Sequence, residues 1–118
     1  MTSVDATSIY GTLNLMILRA LAEGELHGLA IQRRIEGDTE GRVKVEVGAL
    51  YPALHRLERD GLLEASWGVA DTKRRARFYT LTARGRERLQ REASAWMDHV
   101  SAVARLLGVG APAHKARP

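Results

Sequence analysis

The chain has 118 residues, 45 % of them hydrophobic and 27 % charged, with a formal net charge of +4 and no cysteine. That length holds one domain with a real core plus one appended element, and the apolar-to-charged balance excludes disordered and collagen-like classes. Absent thiols exclude disulfides, thiolate catalysis and Cys-based zinc or iron–sulfur sites, and fit a reducing cytoplasm.

Residues 1–8 lack the basic start of a secretory signal, and no apolar run nears the roughly 18 residues that span a bilayer. The expectation is a cytoplasmic protein with no membrane part. Charge is unevenly placed: residues 1–72 carry 7 basic and 11 acidic side chains, and residues 73–118 carry 11 basic and 3 acidic. A basic block suits a polyanion, either nucleic acid or an anionic membrane surface, and composition does not choose between them.

From Ile9 to Leu21 the apolar residues keep a helical period on two faces, so this helix is buried on more than one side, with Gly24 as its stop. A second helix is expected from about His27 to Ile35, ended by Gly37, followed by a loop over residues 37–41. Residues 42–47 alternate polar and apolar with Val43, Val45 and Val47 on one face, which predicts a short half-buried strand. The period returns to helical from Ala49 to Asp60, with Leu50, Ala53, Leu54 and Leu57 as the inward stripe and Gly61 as the stop. Pro52 belongs in or near the first turn of that helix, which predicts a bent or 3₁₀-like start.

Two short runs follow, Leu62–Trp67 and Arg77–Leu81, separated by residues 68–76, and they read as a hairpin with a long basic tip. Thr82 suits the N-cap of a last helix running to about Leu107, roughly 39 Å long at 1.5 Å per residue. Residues 108–118, with Gly, Ala and Pro, are expected to be a disordered tail.

Helix, helix, strand, helix and hairpin is the order of a winged helix-turn-helix, so the fold class is mainly α with a small β-hairpin, plus a long C-terminal dimerisation helix. The winged domain covers residues 9–81 and the dimerisation helix residues 82–107. In such a domain one helix enters the major groove of DNA and the hairpin reaches the backbone or minor groove. With the leucine stripe facing the core, Ala49, Tyr51, Pro52, His55, Arg56 and Arg59 face outward or flank the third helix, as DNA readers or as a solvated face. Lys73, Arg74, Arg75 and Arg77 crowd the hairpin; like-charge crowding gains nothing in a solvated loop and is rewarded by phosphate neutralisation with counterion release. Arg84, Arg86, Arg88 and Arg91 extend the positive charge into the last helix, where a solvated face is the preferred reading.

His27-Gly28, the run from Gly48 to Glu58, Asp60-Gly61 and the run from Arg77 to Gly85 resemble the PadR-type transcriptional regulators, and the likeness spans about Gly11 to Gly85. The resemblance implies a winged helix with a C-terminal dimerisation helix, and repression often relieved by a small molecule. Where the family often has an aromatic after His-Gly, this chain has Leu29.

In the last helix Leu89, Ala93, Trp96, Val100, Val103 and Leu107 are spaced 4, 3, 4, 3, 4, an a/d seam that needs a partner helix. The partner is either the first helix of the same chain or the same helix of a second copy. Self-pairing is preferred because the seam outruns a small domain, and a symmetric homodimer would set two reader helices on a pseudo-palindromic operator. Trp96, mid-seam, is either an interface anchor or the wall of a slot for a planar aromatic effector.

The sequence contains no Gly-x-Ser-x-Gly elbow, no phosphate-binding glycine loop and no His-Glu-x-x-His pair, and His27, His55, His99 and His114 are scattered. Glu36, Asp38 and Glu40 read as a solvated acidic turn and not as a calcium loop. No catalysis, cofactor or metal is expected. The sequence therefore predicts a sequence-specific DNA-binding transcriptional regulator, a homodimeric repressor relieved by a small molecule. The competing reading is a winged-helix protein-interaction module without DNA binding.

Overall fold

The computed structural model describes residues 12–110. Among them the elements run α1 (Thr12–Ala20), β1 (Leu26–His27), α2 (Gly28–Asp38), α3 (Val47–Arg59), β2 (Leu63–Val69), β3 (Arg75–Leu81) and α4 (Ala83–Leu107). The strands form an antiparallel sheet in the order β1-β3-β2. The expected start of the first helix at Ile9 and most of the expected tail, residues 111–118, lie outside the described residues.

α1 buries Leu13, Ile17, Leu18 and Ala20, two faces at once as its pattern requires. With Leu21, Ile31, Leu50, Leu54 and Leu62 these side chains form one core under α2, α3 and the sheet. Burying a leucine contributes about 1.5–3 kcal/mol, and truncating one such as Leu54 to alanine costs about 2–5 kcal/mol, enough to unfold a marginal small domain.

α2 starts one residue later than expected because His27 is its N-cap: the His27 Nδ1 accepts from the Ala30 amide at 3.3 Å. It also runs through Gly37. Its stop is Thr39, whose hydroxyl donates to the Ile35 carbonyl at 2.8 Å and accepts from the Val43 amide at 3.1 Å.

The expected strand over residues 42–47 is not formed. Val45 is buried and Val43 packs against the core, so the alternation reports real burial. The segment is nevertheless held by side chains and not by a ladder: Gln32 Nε2 donates to the Val45 carbonyl at 2.6 Å, and Thr39 takes the Val43 amide. The third strand is Leu26–His27, paired with Tyr79 and Phe78 of β3.

α3 begins two residues before the expected Ala49, so Pro52 sits in its second turn. Proline has no N–H, and the Gly48 carbonyl loses its i→i−4 donor. The Glu46 carbonyl accepts from both Ala49 at 3.0 Å and Leu50 at 2.9 Å, and because the second is an i→i−4 bond the helix opens as an α-helix with a shared acceptor and not as the expected 3₁₀-like turn. Gly61 ends the segment in the left-handed region at φ +80°.

The hairpin is longer than its apolar runs suggested, and its strands take in Arg75 on one side and Val69 on the other. Thr82 caps α4, accepting from Gly85 N at 3.0 Å while donating to the Gly61 carbonyl at 2.7 Å. Here α4 approaches the chain so closely that a Cβ at Gly85 would strike the Leu62 carbonyl.

Candidate nucleic-acid interface

α3 buries Leu50, Ala53, Leu54 and Leu57 and turns Tyr51, Pro52, His55, Arg56 and Arg59 to the exterior. Arg59 lies 3.6 Å from Asp60, an exposed pair of little weight. Ala49 is the exception among the expected readers, since it packs partly against the core. Tyr51 is 40 % exposed, and its ring lies over α2: a Cβ at Gly28 would come within 2.6 Å of the Tyr51 hydroxyl. Glycine at position 28 is what lets the ring lie there.

The wing extends the core face outward. Cross-strand pairs run from Leu63 and Leu81 in the core through Ala65 and Tyr79 to Trp67 and Arg77, then Val69 and Arg75. Trp67 is 60 % exposed and carries the Arg75 guanidinium 4.6 Å from its ring centre, with that of Arg77 at 5.9 Å, both cation–π distances. Arg77 also donates to Glu58 of α3 at 3.0 Å, so this cation braces the wing. Among the described residues no ion pair involves Lys73, Arg74 or Arg75. At the tip Lys73 takes φ +68°, closing the turn through its amide to the Ala70 carbonyl at 2.8 Å. Burial raises the Tyr79 pKa above its ordinary value, Arg77 opposes the rise, and Glu58 and Tyr51 add to it, so the phenol stays neutral at physiological pH.

Between wing and helices lies an open cleft of about 230 Å³, lined by His27, Leu29, Tyr51, Arg74, Arg75 and Arg77 among others. The His27 ring meets Phe78 edge-on, with centroids 5.3 Å apart, and so fixes the base of the wing against the start of α2. The cleft therefore joins an outward residue of α3 to three wing arginines.

A family model described as the Transcriptional regulator PadR-like family matches residues 17–91. The chain belongs to this family. A transcriptional regulator of Mycobacterium tuberculosis is 39 % identical to it over 77 residues, 65 % of this chain and 68 % of that one. Among solved structures, a transcriptional regulator from Clostridium thermocellum matches with a TM-score of 0.74 at 27 % identity, covering 82 % of this chain and 94 % of that one. A PadR-like transcriptional regulator from Bacillus cereus matches at 0.70 and 25 % identity, covering 82 % and 92 %. This PadR-like protein is thus a transcriptional regulator with a winged-helix fold.

The arginines at the start of α4 act as staples. Arg84 donates to the Asp60 carbonyl at the end of α3 at 3.0 Å, Arg86 donates to the Ala22 carbonyl at 3.3 Å, and Arg88 meets Glu92 at 3.5 Å. Together with the Thr82 bonds, Arg84 and Arg86 fix α4 to the end of α3 and to the turn after α1, while the Arg88–Glu92 pair lies within α4 itself.

The expected seam of the PadR-like chain divides in two. Leu89, Ala93, Trp96 and Val100 are half-buried, α1 packs against α4, and the buried residue near the helix end is Ala104. Val103 and Leu107 are exposed, Leu107 by 68 %, beside Leu106 at 85 %. The Trp96 Nε1 is enclosed, and no acceptor meets it among the described residues. No helix among the described residues is long and apolar enough to cross a membrane.

Sequence reasoning missed Val47, which it placed in a strand, Gly48, which it took as that strand's close, and Trp67 and Glu58, which it did not single out. Val47 and Gly48 form the first turn of α3, both exposed. The signal that could have found Trp67 is its place in the apolar run one residue before the basic tip.

Proposed function

We propose that this PadR-like regulator is a cytoplasmic, homodimeric, sequence-specific DNA-binding repressor, with α3 in the major groove and the wing on the backbone. The observation that carries this reading is the cleft shared by Tyr51 of α3 and Arg74, Arg75 and Arg77 of the wing. Positive charge beside an outward helix face suits a duplex, because each phosphate neutralised releases counterions. Tyr51, Pro52, His55, Arg56 and Arg59 approach base edges or flanking phosphates, Ala49 supports them, and Lys73, Arg74 and Arg75 hold the backbone. Repression follows if the bound dimer blocks polymerase.

Dimerisation is supported by the bare end of α4, where Val103, Leu106 and Leu107 lack cover. Leu89, Ala93, Trp96 and Val100 would complete the seam, and the two-fold axis would make the operator pseudo-palindromic. The acceptor-less Trp96 indole supports a planar aromatic effector stacking near that axis and relieving repression. The test of DNA binding is fluorescence anisotropy of a labelled duplex across a salt series. Affinity should fall steeply with salt, and a flat response removes the reading.

One observation favours a second reading, a module that docks on another protein: Trp67 and Val69, the latter 67 % exposed, leave apolar surface on the wing. The Arg75 guanidinium over Trp67 turns that surface cationic, which favours DNA. The same salt series separates the two readings.

A further inference from the structure

The leading end of α3 is built against the helix's own interest. Glu46 occupies the N-cap without a side-chain cap bond, and the first turn holds no acidic residue to meet the helix dipole. Val47, β-branched, opens the helix 52 % exposed. Gly48 follows, and glycine is among the poorest helix formers.

Nothing among the described residues asks for that glycine. A Cβ at position 48 meets no atom within 4 Å, and Gly48 is not among the residues of positive φ. At Gly28 and Gly85, by contrast, a Cβ would collide with Tyr51 and with the Leu62 carbonyl. Gly37 near the end of α2 meets the same open space, so space alone does not decide; what sets Gly48 apart is its place in the exposed first turn of the helix that turns Tyr51 and Arg56 outward, where a missing side chain leaves the backbone open to close approach from outside.

The residues at this tip indicate what that is. Positions 47–53 hold Val, Gly, Ala, Leu, Tyr, Pro and Ala, with no Arg or Lys to read guanine and no Asn or Gln to read adenine. The feature of the major groove that an aliphatic side chain does read is the 5-methyl group of thymine. We propose that Val47 packs its methyls on a thymine 5-methyl in each half-site, and that Gly48 lets the backbone of α3 lie against the adjoining base edge. This inference rests on the DNA-binding reading above and names one base that the first turn of α3 selects, beside whatever His55, Arg56 and Arg59 contact further along the helix.

The experiment begins with selection of binding sites by the full chain from a pool of duplexes with a random core. The enriched duplex is then remade with deoxyuridine for thymine, which removes the 5-methyl groups and keeps base pairing. Loss of one buried methyl corresponds to about a fourfold loss of affinity, and two half-sites to about 15-fold. Val47→Ala should bind the thymine duplex about as wild type binds the deoxyuridine duplex, with no further loss on deoxyuridine. Gly48→Ala should raise the melting temperature, because its Cβ meets open space, while lowering affinity for the selected site about tenfold through the steric clash. A purely structural glycine cannot give these opposite signs. The inference is overturned if wild type enriches a site yet ignores the loss of thymine methyls, or if Gly48→Ala binds that site as tightly as wild type. If wild type enriches no site and its binding is indifferent to salt, the DNA-binding reading fails as well, and the two failures are told apart by the selection itself.

Discussion

Arg77 of the wing donates to Glu58 of α3 at 3.0 Å, with both side chains about one-third exposed, so the hairpin is tied to the outward helix by an ion pair between residues 19 apart. The bond fixes the angle between the two parts that would grip DNA, and it uses up a cation that composition alone assigns to phosphate. Replacing Glu58 by Gln should therefore lower stability only modestly, by about 1 kcal/mol, because the pair is partly solvated. It should also raise affinity for random duplex and steepen the salt dependence, since one negative charge is removed and Arg77 is released. Thermal melting and anisotropy measure the two effects. Unchanged salt dependence would mean that Arg77 stays out of reach of phosphate.

With Arg77 engaged, the proposed complex would draw about three phosphate contacts per subunit from Lys73, Arg74 and Arg75. A dimer with about six contacts implies a log–log salt slope near −5, and Arg74→Ala with Arg75→Ala should reduce it to about −2. Weakening should be similar on every sequence, because phosphate contacts position the protein and carry no sequence information. A change confined to sequence preference would show that the wing reads bases.

Tyr51 both covers Gly28, with its ring and hydroxyl, and lines the cleft, and its ring and hydroxyl are separable by substitution. Tyr51→Phe keeps the ring, so melting should be unchanged while affinity for the selected site falls by a factor corresponding to about 1 kcal/mol, one hydrogen bond. Gly28→Ala should displace the ring and destabilise by about 1–3 kcal/mol, as overpacking does. If Tyr51→Phe binds as wild type, the residue serves packing alone.

Much of this architecture is legible in the sequence because hydrophobic period reports burial directly: the stripe Leu50, Ala53, Leu54 and Leu57 is the buried face of α3, and Thr82 caps α4. Period does not report who takes the backbone hydrogen bonds. Val43 and Val45 alternate inward like a strand, yet Thr39 and Gln32 bind that backbone, and the real third strand, Leu26–His27, is too short to show any period. The Glu58–Arg77 brace was invisible because nothing local links residues on different elements. The spacing of Leu89, Ala93, Trp96 and Val100 marks a half-buried face of α4, and α1 of the same chain packs against that helix.

Gly85 joins the winged body to α4 at a point where there is no room for a side chain. Its replacement by Ala would push a Cβ into the Leu62 backbone carbonyl, which cannot rotate aside as a side chain can. Destabilisation of about 2–4 kcal/mol is expected, near the upper range for single substitutions. Circular dichroism melting checks it, and a shift of less than about 2 °C would mean that the elbow between α3 and α4 yields easily.

The bare end of α4 gives the most direct test of assembly. Leu106 and Leu107 expose most of their surface, and burying each in a dimer contributes about 1.5–3 kcal/mol against an association cost of about 4–15 kcal/mol. Four such leucines per dimer are therefore comparable with the whole cost of association, and Leu106→Ser with Leu107→Ser should yield a monomer by sedimentation equilibrium at micromolar concentration. The winged body lies outside this change, so its melting should persist while affinity for a two-half-site duplex collapses. Trp67→Phe makes Trp96 the sole indole, and its emission should be blue-shifted in the dimer and move toward the solvent-exposed value when the leucines are replaced. A panel of planar aromatics that quenches this emission and releases DNA would establish the effector role. Emission that ignores both the leucine changes and the aromatics would leave Trp96 as packing between α4 and its own domain.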